Sequence, residues 1–199
     1  MRFYTFAVKI FGGLLKWLYR VEVVGTENDD PAVNYLICAN HQALVDPILL
    51  ATVFPKRTLR FMAKAELMKI PLLKQLITAL GAYSVDRGGR DVGAIKKTIE
   101  LLKDGESIVM FPQGTRRKGI DPKKTSVKFG CAMMALRAKA SILPVYIKTE
   151  NHRVQMFRKT VIHIGKGIDH QTLLSVSDAG KDYHAGAAYI FSSITSLGD

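Results

Sequence analysis

A chain of 199 residues with 48% hydrophobic and 23% charged residues is long enough for one sizeable core and too ordinary in composition for wholesale disorder. Its 29 Lys and Arg stand against 17 Asp and Glu, a formal net charge of +12, which favours polyanionic partners such as nucleic acid, an anionic bilayer or phosphorylated ligands. The two cysteines, Cys38 and Cys131, lie far apart in apolar runs, a pattern of buried reduced thiols that speaks against a disulfide scaffold or a metal site.

Residues 2 to 20 carry the first specific signal. Arg2, Lys9 and Lys16 recur every seven residues, so on a helix of roughly 3.6 residues per turn they fall near one line, which Arg20 extends. Phe3, Phe6, Phe11, Leu14, Trp17 and Leu18 supply a broad apolar face around that stripe. The pattern predicts an amphipathic helix lying in a bilayer interface; a first helix docked on the core with its lysines in water is the alternative. Gly12-Gly13 should weaken or bend it. Lys9 and Lys16 interrupt the apolar run well short of the ~20 residues a membrane span needs. They equally break the uncharged middle of a secretory signal, so a cytosolic chain with a retained N-terminus is expected.

Short β-rich runs then alternate with amphipathic stretches. Strands are expected over Val21–Val24, Tyr35–Ala39, Leu59–Met62, Ala82–Val85, Ser107–Phe111, Ile142–Ile147 and Val161–Ile164. Helices are expected over Pro47–Val53, Glu66–Leu80, Asp91–Lys103, Val127–Lys139 and Asp182–Ser196. This alternation predicts an α/β fold, a mostly parallel central sheet flanked by helices, in one domain over 21–199 preceded by the membrane-surface helix of 1–20. Functional residues of such sheets gather where strands end and loops begin.

The polar motifs fall at those places. Asn40-His41-Gln42-Ala43-Leu44-Val45-Asp46-Pro47 follows the strand ending at Ala39. Histidine is the side chain suited to moving a proton in the physiological range. Asp46 comes five residues later, a spacing that separates the two on a straight helix, so contact requires a turn between them. Pro47 disfavours helical geometry in the residue before it, which makes Asp46 the expected N-cap with Pro47 at the first helical position. Met110-Phe111-Pro112-Gln113-Gly114-Thr115-Arg116-Arg117-Lys118 follows another strand. Gly114 permits a tight turn, and Arg116, Arg117 and Lys118 bring cations suited to a phosphate or to solvent. Asp86-Arg87-Gly88-Gly89-Arg90 is a third site, either for phosphate or an ordinary glycine turn.

Their order is specific. NHQALVD, GAYSVDRGGRD, FPQGTR and ILPVYI in succession over residues 21 to 150 resemble the four sequence blocks of the glycerophospholipid acyltransferase family, and most closely its 1-acyl-glycerol-3-phosphate acyltransferase branch. The resemblance implies transfer of an acyl group from acyl-CoA or acyl carrier protein to lysophosphatidic acid, giving phosphatidic acid. Another lysophospholipid or polar lipid is the alternative acceptor. It also implies His41 and Asp46 as catalytic residues, Arg87, Gly114 and Arg116 as acceptor-binding residues with both arginines on phosphate, and Pro144 as a fold-shaping residue. Gln113 and Thr115 belong to the same acceptor block.

Gln113 departs from the family, which usually has Glu there. Glutamine keeps length and hydrogen-bonding capacity but loses the charge and adds donors. More positive potential beside Arg116 would favour a phosphate; a carboxylate that orients the acceptor would be missed.

In this chemistry the thioester is already electrophilic, and the alcohol must be activated by a general base, His41, held by Asp46. Cys131 as a covalent acyl carrier is disfavoured by apolar neighbours that should raise its thiol pKa. No cofactor is expected beyond the acyl donor, and no metal, since His, Cys and carboxylates do not cluster. His152, His163, His170 and His184 read as structural or surface residues. The expected partner is an anionic membrane, met peripherally at the cytoplasmic face of the cell membrane. The competing classes are a membrane-bound scaffold that keeps the fold without activity, for which Gln113 is the one support, and a nucleic-acid-binding module. No reader motif supports the nucleic-acid module, and the aromatics collect in one apolar helix instead of among the basic loops.

Overall fold

Tyr35–Ala39 is apolar at every position, so a strand built from it must be covered on both faces. It is covered: all of its residues are buried. The computed structural model describes residues 12–64, 81–85 and 92–199, with single positions at 8, 69 and 78. The described strands are β1 (Val21–Val24), β2 (Tyr35–Ala39), β3 (Leu59–Lys64), β4 (Ala82–Val85), β5 (Ser107–Met110), β6 (Ser141–Thr149) and β7 (Thr160–Ile164). They form one sheet in the order β1-β7-β6-β2-β5-β3-β4. Strands β6, β2, β5, β3 and β4 run parallel. The β6–β7 pairing is antiparallel and β7 pairs parallel with β1, so the last two strands run the other way. The mostly parallel α/β sheet expected from the alternation is the observed one.

Helices cover the two faces. Leu36, Cys38, Ile108 and Met110 point to a core shared with Val92–Lys103 (α2), Gly130–Ala138 (α3) and Tyr183–Thr195 (α5). Ile37, Ala39 and Val109 point to the opposite core, covered by Asp46–Val53 (α1). The alternation along β2 is the period of two that a pleated strand imposes. Helix α3 begins three residues later than expected, with Phe129 in the cap position, because Val127 to Phe129 continue the preceding loop and Lys128 N–H bonds the Pro112 carbonyl. Asp182 caps α5 through the His184 and Ala185 N–H groups. A further short helix, α4 (His170–Val176), went unforeseen; Asp169 caps it through Thr172 N–H. The expected helix Glu66–Leu80 and the Asp86–Arg90 turn lie outside the described residues, apart from single positions.

The N-terminal segment departs from expectation. Residues 12–18 are helical, but Arg20 has φ 44° and ends the segment, so it does not prolong a basic stripe along it. Arg2 and Lys9 lie outside the described residues. Gly12 does more than weaken a helix: a Cβ there would sit 3.3 Å from Thr52 Cγ2 of α1, so the glycine permits close packing. Val8, Leu15 and Tyr19 join the core on that face, while Leu14 and Trp17 stay exposed. Among the described residues no helix is long and apolar enough to cross a membrane.

At the opposite end of the sheet from the strand C-termini, Arg57 fastens the segment before β2 to Ser107 at the start of β5. Its Nε donates to Asp29 Oδ1 at 2.6 Å, Nη1 to the Val33 carbonyl at 2.7 Å, and Nη2 to the Asp30 carbonyl, with the guanidinium over the Tyr35 ring. A buried guanidinium is tolerable when its donors are met in this way.

Candidate active site

Because β6, β2 and β5 are neighbours and parallel, the loops leaving β2 and β5 emerge side by side. Asn40-His41-Gln42 follows β2, and Phe111-Pro112-Gln113 follows β5. His41 Nδ1 lies 2.8 Å from Asp46 Oδ2. The turn required by their spacing is present, closed by Asp46 N–H on the Ala43 carbonyl.

Asp46 is not the N-cap. The helix begins one residue earlier than expected, with Val45 in the cap position and no side-chain cap bond, and Asp46 occupies the first turn. Its carboxylate folds back onto the loop, where Oδ2 also accepts from Gln42 N–H at 2.6 Å and Ala43 N–H at 2.8 Å. One oxygen therefore both orders the turn and meets the imidazole, and Oδ1 has no partner among the described residues. Asp46 is fully buried; the positive end of the helix it begins favours its charge there.

The imidazole is held on a second side. Phe111 stacks on it with ring centroids 3.9 Å apart and an interplanar angle of 15°. Nε2 makes no hydrogen bond among the described residues, and the side chain keeps 16% exposure. With a carboxylate on Nδ1, the tautomer has its proton there and its lone pair on Nε2, the arrangement a general base needs.

The backbone on either side of His41 is tied to β6. Asn40 Nδ2 donates to the Ile147 carbonyl at 3.1 Å and Asn40 Oδ1 accepts from Ile147 N–H at 2.7 Å. Gln42 Nε2 donates to the same carbonyl at 2.9 Å, and Thr149 Oγ1 donates to Gln42 Oε1 at 2.6 Å. These supporting residues went unrecognised in the sequence. The only available signal was a pair of amide side chains flanking a histidine at the end of a buried strand.

Gln113 is built into the same support. Its side chain is 2% exposed. Oε1 accepts from His41 N–H at 2.7 Å, and Nε2 donates to Thr125 Oγ1 at 2.8 Å. Thr125 gives its own proton to the Pro122 carbonyl at 2.7 Å, so its hydroxyl must accept from residue 113, which an amide allows and a carboxylate does not. We therefore expect Gln113→Ala, which strips His41 N–H of its acceptor, to lower kcat about 10- to 100-fold through misplacement of the base. KM for the acceptor should stay put. Gln113→Glu keeps an acceptor for His41 N–H but sets a carboxylate against Thr125 Oγ1, so it should restore the rate only in part. A raised acceptor KM with kcat intact would make Gln113 a substrate contact instead.

Gly114 turns the chain beyond Gln113. Its φ is 68°, the left-handed region that glycine enters freely, and a Cβ there would collide with the Lys128 side chain at 2.9 Å. Arg117 N–H then bonds the His41 carbonyl at 2.8 Å, laying this loop across the β2 loop. Between them lies a cavity of about 390 Å³ lined by Gln42, Ala43 and Leu44, by Thr115, Arg116 and Lys118, and by Val154. Thr115, Arg116 and Lys118 thus face one space with Gln42, Ala43 and Leu44, the residues that follow His41, while His41 itself does not line it and Gln113 turns away into the scaffold. Arg87 lies outside the described residues.

The cysteines are buried, and the Cys131 expectation needs correction. Burial pushes the Cys38 thiol well up, but a hydrogen bond from Cys38 lowers Cys131. Burial still keeps Cys131, at 1% exposure, from any substrate. Among the described residues no His, Cys, Asp and Glu group could hold a metal ion.

Comparison with known proteins matches the Acyltransferase family model to residues 20–148. A 1-acyl-sn-glycerol-3-phosphate acyltransferase of Borreliella burgdorferi is 33% identical over 73% of this chain and 58% of its own length. Its counterpart in Streptococcus pneumoniae is 32% identical over 74% and 54%. The chain thus spans little more than half the length of these relatives. The crystal structure of the 1-acyl-sn-glycerophosphate (LPA) acyltransferase PlsC from Thermotoga maritima superposes with a TM-score of 0.69 at 30% identity, covering 88% of this chain and 69% of that one.

Proposed function

This chain belongs to the acyltransferase family, and from that footing we propose that it transfers an acyl group from acyl-CoA or acyl carrier protein to the sn-2 hydroxyl of 1-acyl-glycerol-3-phosphate, giving phosphatidic acid. The observation that carries the reading is the His41–Asp46 pair, 2.8 Å apart, beside a cavity that holds Arg116 and Lys118. The names of the relatives agree with it.

His41 Nε2 takes the proton of the acceptor hydroxyl as its oxygen attacks the thioester carbonyl. The C–S bond then breaks, and the departing thiolate takes the proton from the imidazolium, so the imidazole is regenerated with a free thiol and a new ester. Asp46 holds the imidazole and stabilises its protonated form. A general base contributes roughly 10²–10⁴-fold to such a step. Arg116 and Lys118, with Thr115, bind the acceptor phosphate, Gly114 shapes that loop, and Arg87 joins them. The protein works peripherally at the cytoplasmic face of the membrane, with residues 1–20 as its membrane-associating segment and the anionic leaflet attracting its net charge of +12.

The test is thiol release from a long-chain acyl-CoA, and separately from acylated carrier protein, with and without lysophosphatidic acid, the lipid product being identified by mass spectrometry. Release should depend on the acceptor and yield phosphatidic acid. Release without lipid product, or product only with acceptors lacking the phosphate, would overturn the assignment.

A further inference from the structure

The face of the sheet covered by α2, α3 and α5 carries an exposed aromatic cluster of its own. Phe129, in the cap position of α3, is 41% exposed. Its ring stacks on that of Tyr183 with centroids 6.4 Å apart and an interplanar angle of 16°, and it meets the His184 imidazole at 4.9 Å. Tyr183 is half-buried and His184 exposed, so the cluster keeps an open side. Single apolar side chains in water are ordinary on a protein surface, but three rings held together by two helices form a flat apolar platform. The charges beside it are positive. Lys128 precedes Phe129, Lys181 stands two residues before Tyr183, and the Arg137 guanidinium lies over the Tyr183 ring with Cζ 5.9 Å from its centroid. All three residues are exposed, and none of them pairs with a carboxylate among the described residues. The neighbouring Asp182 carboxylate is engaged by the His184 and Ala185 N–H groups.

This platform is joined to the base by a short path. Lys128 N–H donates to the Pro112 carbonyl at 2.9 Å, and Phe111, the preceding residue, is the ring stacked on His41. The Lys128 side chain crosses Gly114, where a Cβ would lie 3.3 Å from Nζ. Its ammonium therefore stands between the platform and the loop that carries Thr115 and Arg116.

We propose that the platform binds the adenine nucleotide of an acyl-CoA, its base against Phe129 and its phosphates on Lys128, Arg137 and Lys181. A base stacks on an exposed aromatic face whatever its sequence identity, and neighbouring cations hold its phosphates. The arm that bears the thioester then runs past Lys128 toward His41. Donor and acceptor come from different sides of the sheet. The platform belongs to the face under α3 and α5, whereas Arg116 and Lys118 share their cavity with Val154, which packs with the core under α1. The choice of CoA over carrier protein as donor rests on the acyl-transfer reading; the capacity to bind the nucleotide does not.

The test begins with calorimetry of the full chain and adenosine 3′,5′-bisphosphate, the nucleotide end of the donor without its thioester. This probe should bind, and Phe129→Ala should weaken it about 5- to 100-fold, the worth of one stacked base. Arg137→Gln should weaken it severalfold. In transfer assays both variants should raise KM for acyl-CoA in step with these losses and leave kcat in place. With acyl-pantetheine, which lacks the nucleotide, they should match the wild type, and that match also establishes that they are folded. Unchanged nucleotide binding by Phe129→Ala, or inorganic pyrophosphate binding as tightly as the nucleotide, overturns the platform. So does a loss confined to transfer from acylated carrier protein, which would assign the surface to that protein. Transfer from carrier protein with no nucleotide binding overturns the platform and upholds acyl transfer. Nucleotide binding that depends on Phe129, with no transfer from either donor, upholds the platform and overturns the acyl-transfer reading.

Discussion

His41→Ala is expected to reduce acyl transfer by about 10²–10⁴-fold, the contribution of a positioned general base. The fold should survive. The side chain keeps 16% exposure, and the loop around it is held through backbone bonds that alanine retains: His41 N–H to Gln113 and the His41 carbonyl to Arg117. The loss should fall on kcat, since in the proposed mechanism the imidazole acts on the hydroxyl, whereas the cations proposed for the phosphate line the neighbouring cavity. His41→Gln offers a second variant that refills the space over Phe111 and still cannot accept a proton. The measurement is acceptor-dependent thiol release under saturating substrates, with circular dichroism as the control for folding. Activity near wild type in both variants would remove His41 from the mechanism and with it the role of Asp46.

Asp46→Asn is expected to cost on the order of 10³–10⁴-fold in kcat, comparable to the loss when the carboxylate of a hydrolytic triad becomes an amide. The reason is the identity of the atoms facing Oδ2. Two of them are the N–H groups of Gln42 and Ala43, which require an acceptor, and the third is His41 Nδ1. An asparagine that serves the backbone donors with its oxygen can offer the ring only weakened, shared acceptance. If its NH₂ turns to the ring, Nδ1 must accept and the proton moves to Nε2, which is then no longer a base. Asp46→Ala should add a stability loss of about 1–3 kcal/mol for each amide left without a partner, seen as a lower denaturation midpoint. The two variants therefore separate chemistry from folding. An Asn variant with wild-type kcat would show that Asp46 serves the turn alone.

Beside these two, Gln113 marks a different kind of dependence. It reaches His41 across 72 positions of sequence, and the effect expected of it on the rate would pass through the placement of another residue. The same holds for Asn40 and Gln42, whose bonds to Ile147 span 107 and 105 positions. A base held within a few tenths of an ångström needs such supports, because small displacements are costly to a reacting geometry.

Several of these features were legible in the residues. The strands stand where β-branched and apolar runs are bounded by turn signals, and the last helix lies within the bounds expected for it. Helix α4 escaped because seven residues give too little periodicity to separate it from a turn. The order of motifs pointed to His41, Asp46 and the basic loop, since proton transfer and phosphate binding each admit few residue types. Tertiary structure decided the rest. It moved Asp46 from cap to first turn, turned Gln113 away from the cavity, set Phe111 on the imidazole and left Trp17 beside Phe157. The physical reason is that local periodicity determines which face a side chain takes, but not which strand lies beside it. Only the placement of β2 between β5 and β6 brings the groups that hold His41 within hydrogen-bonding distance.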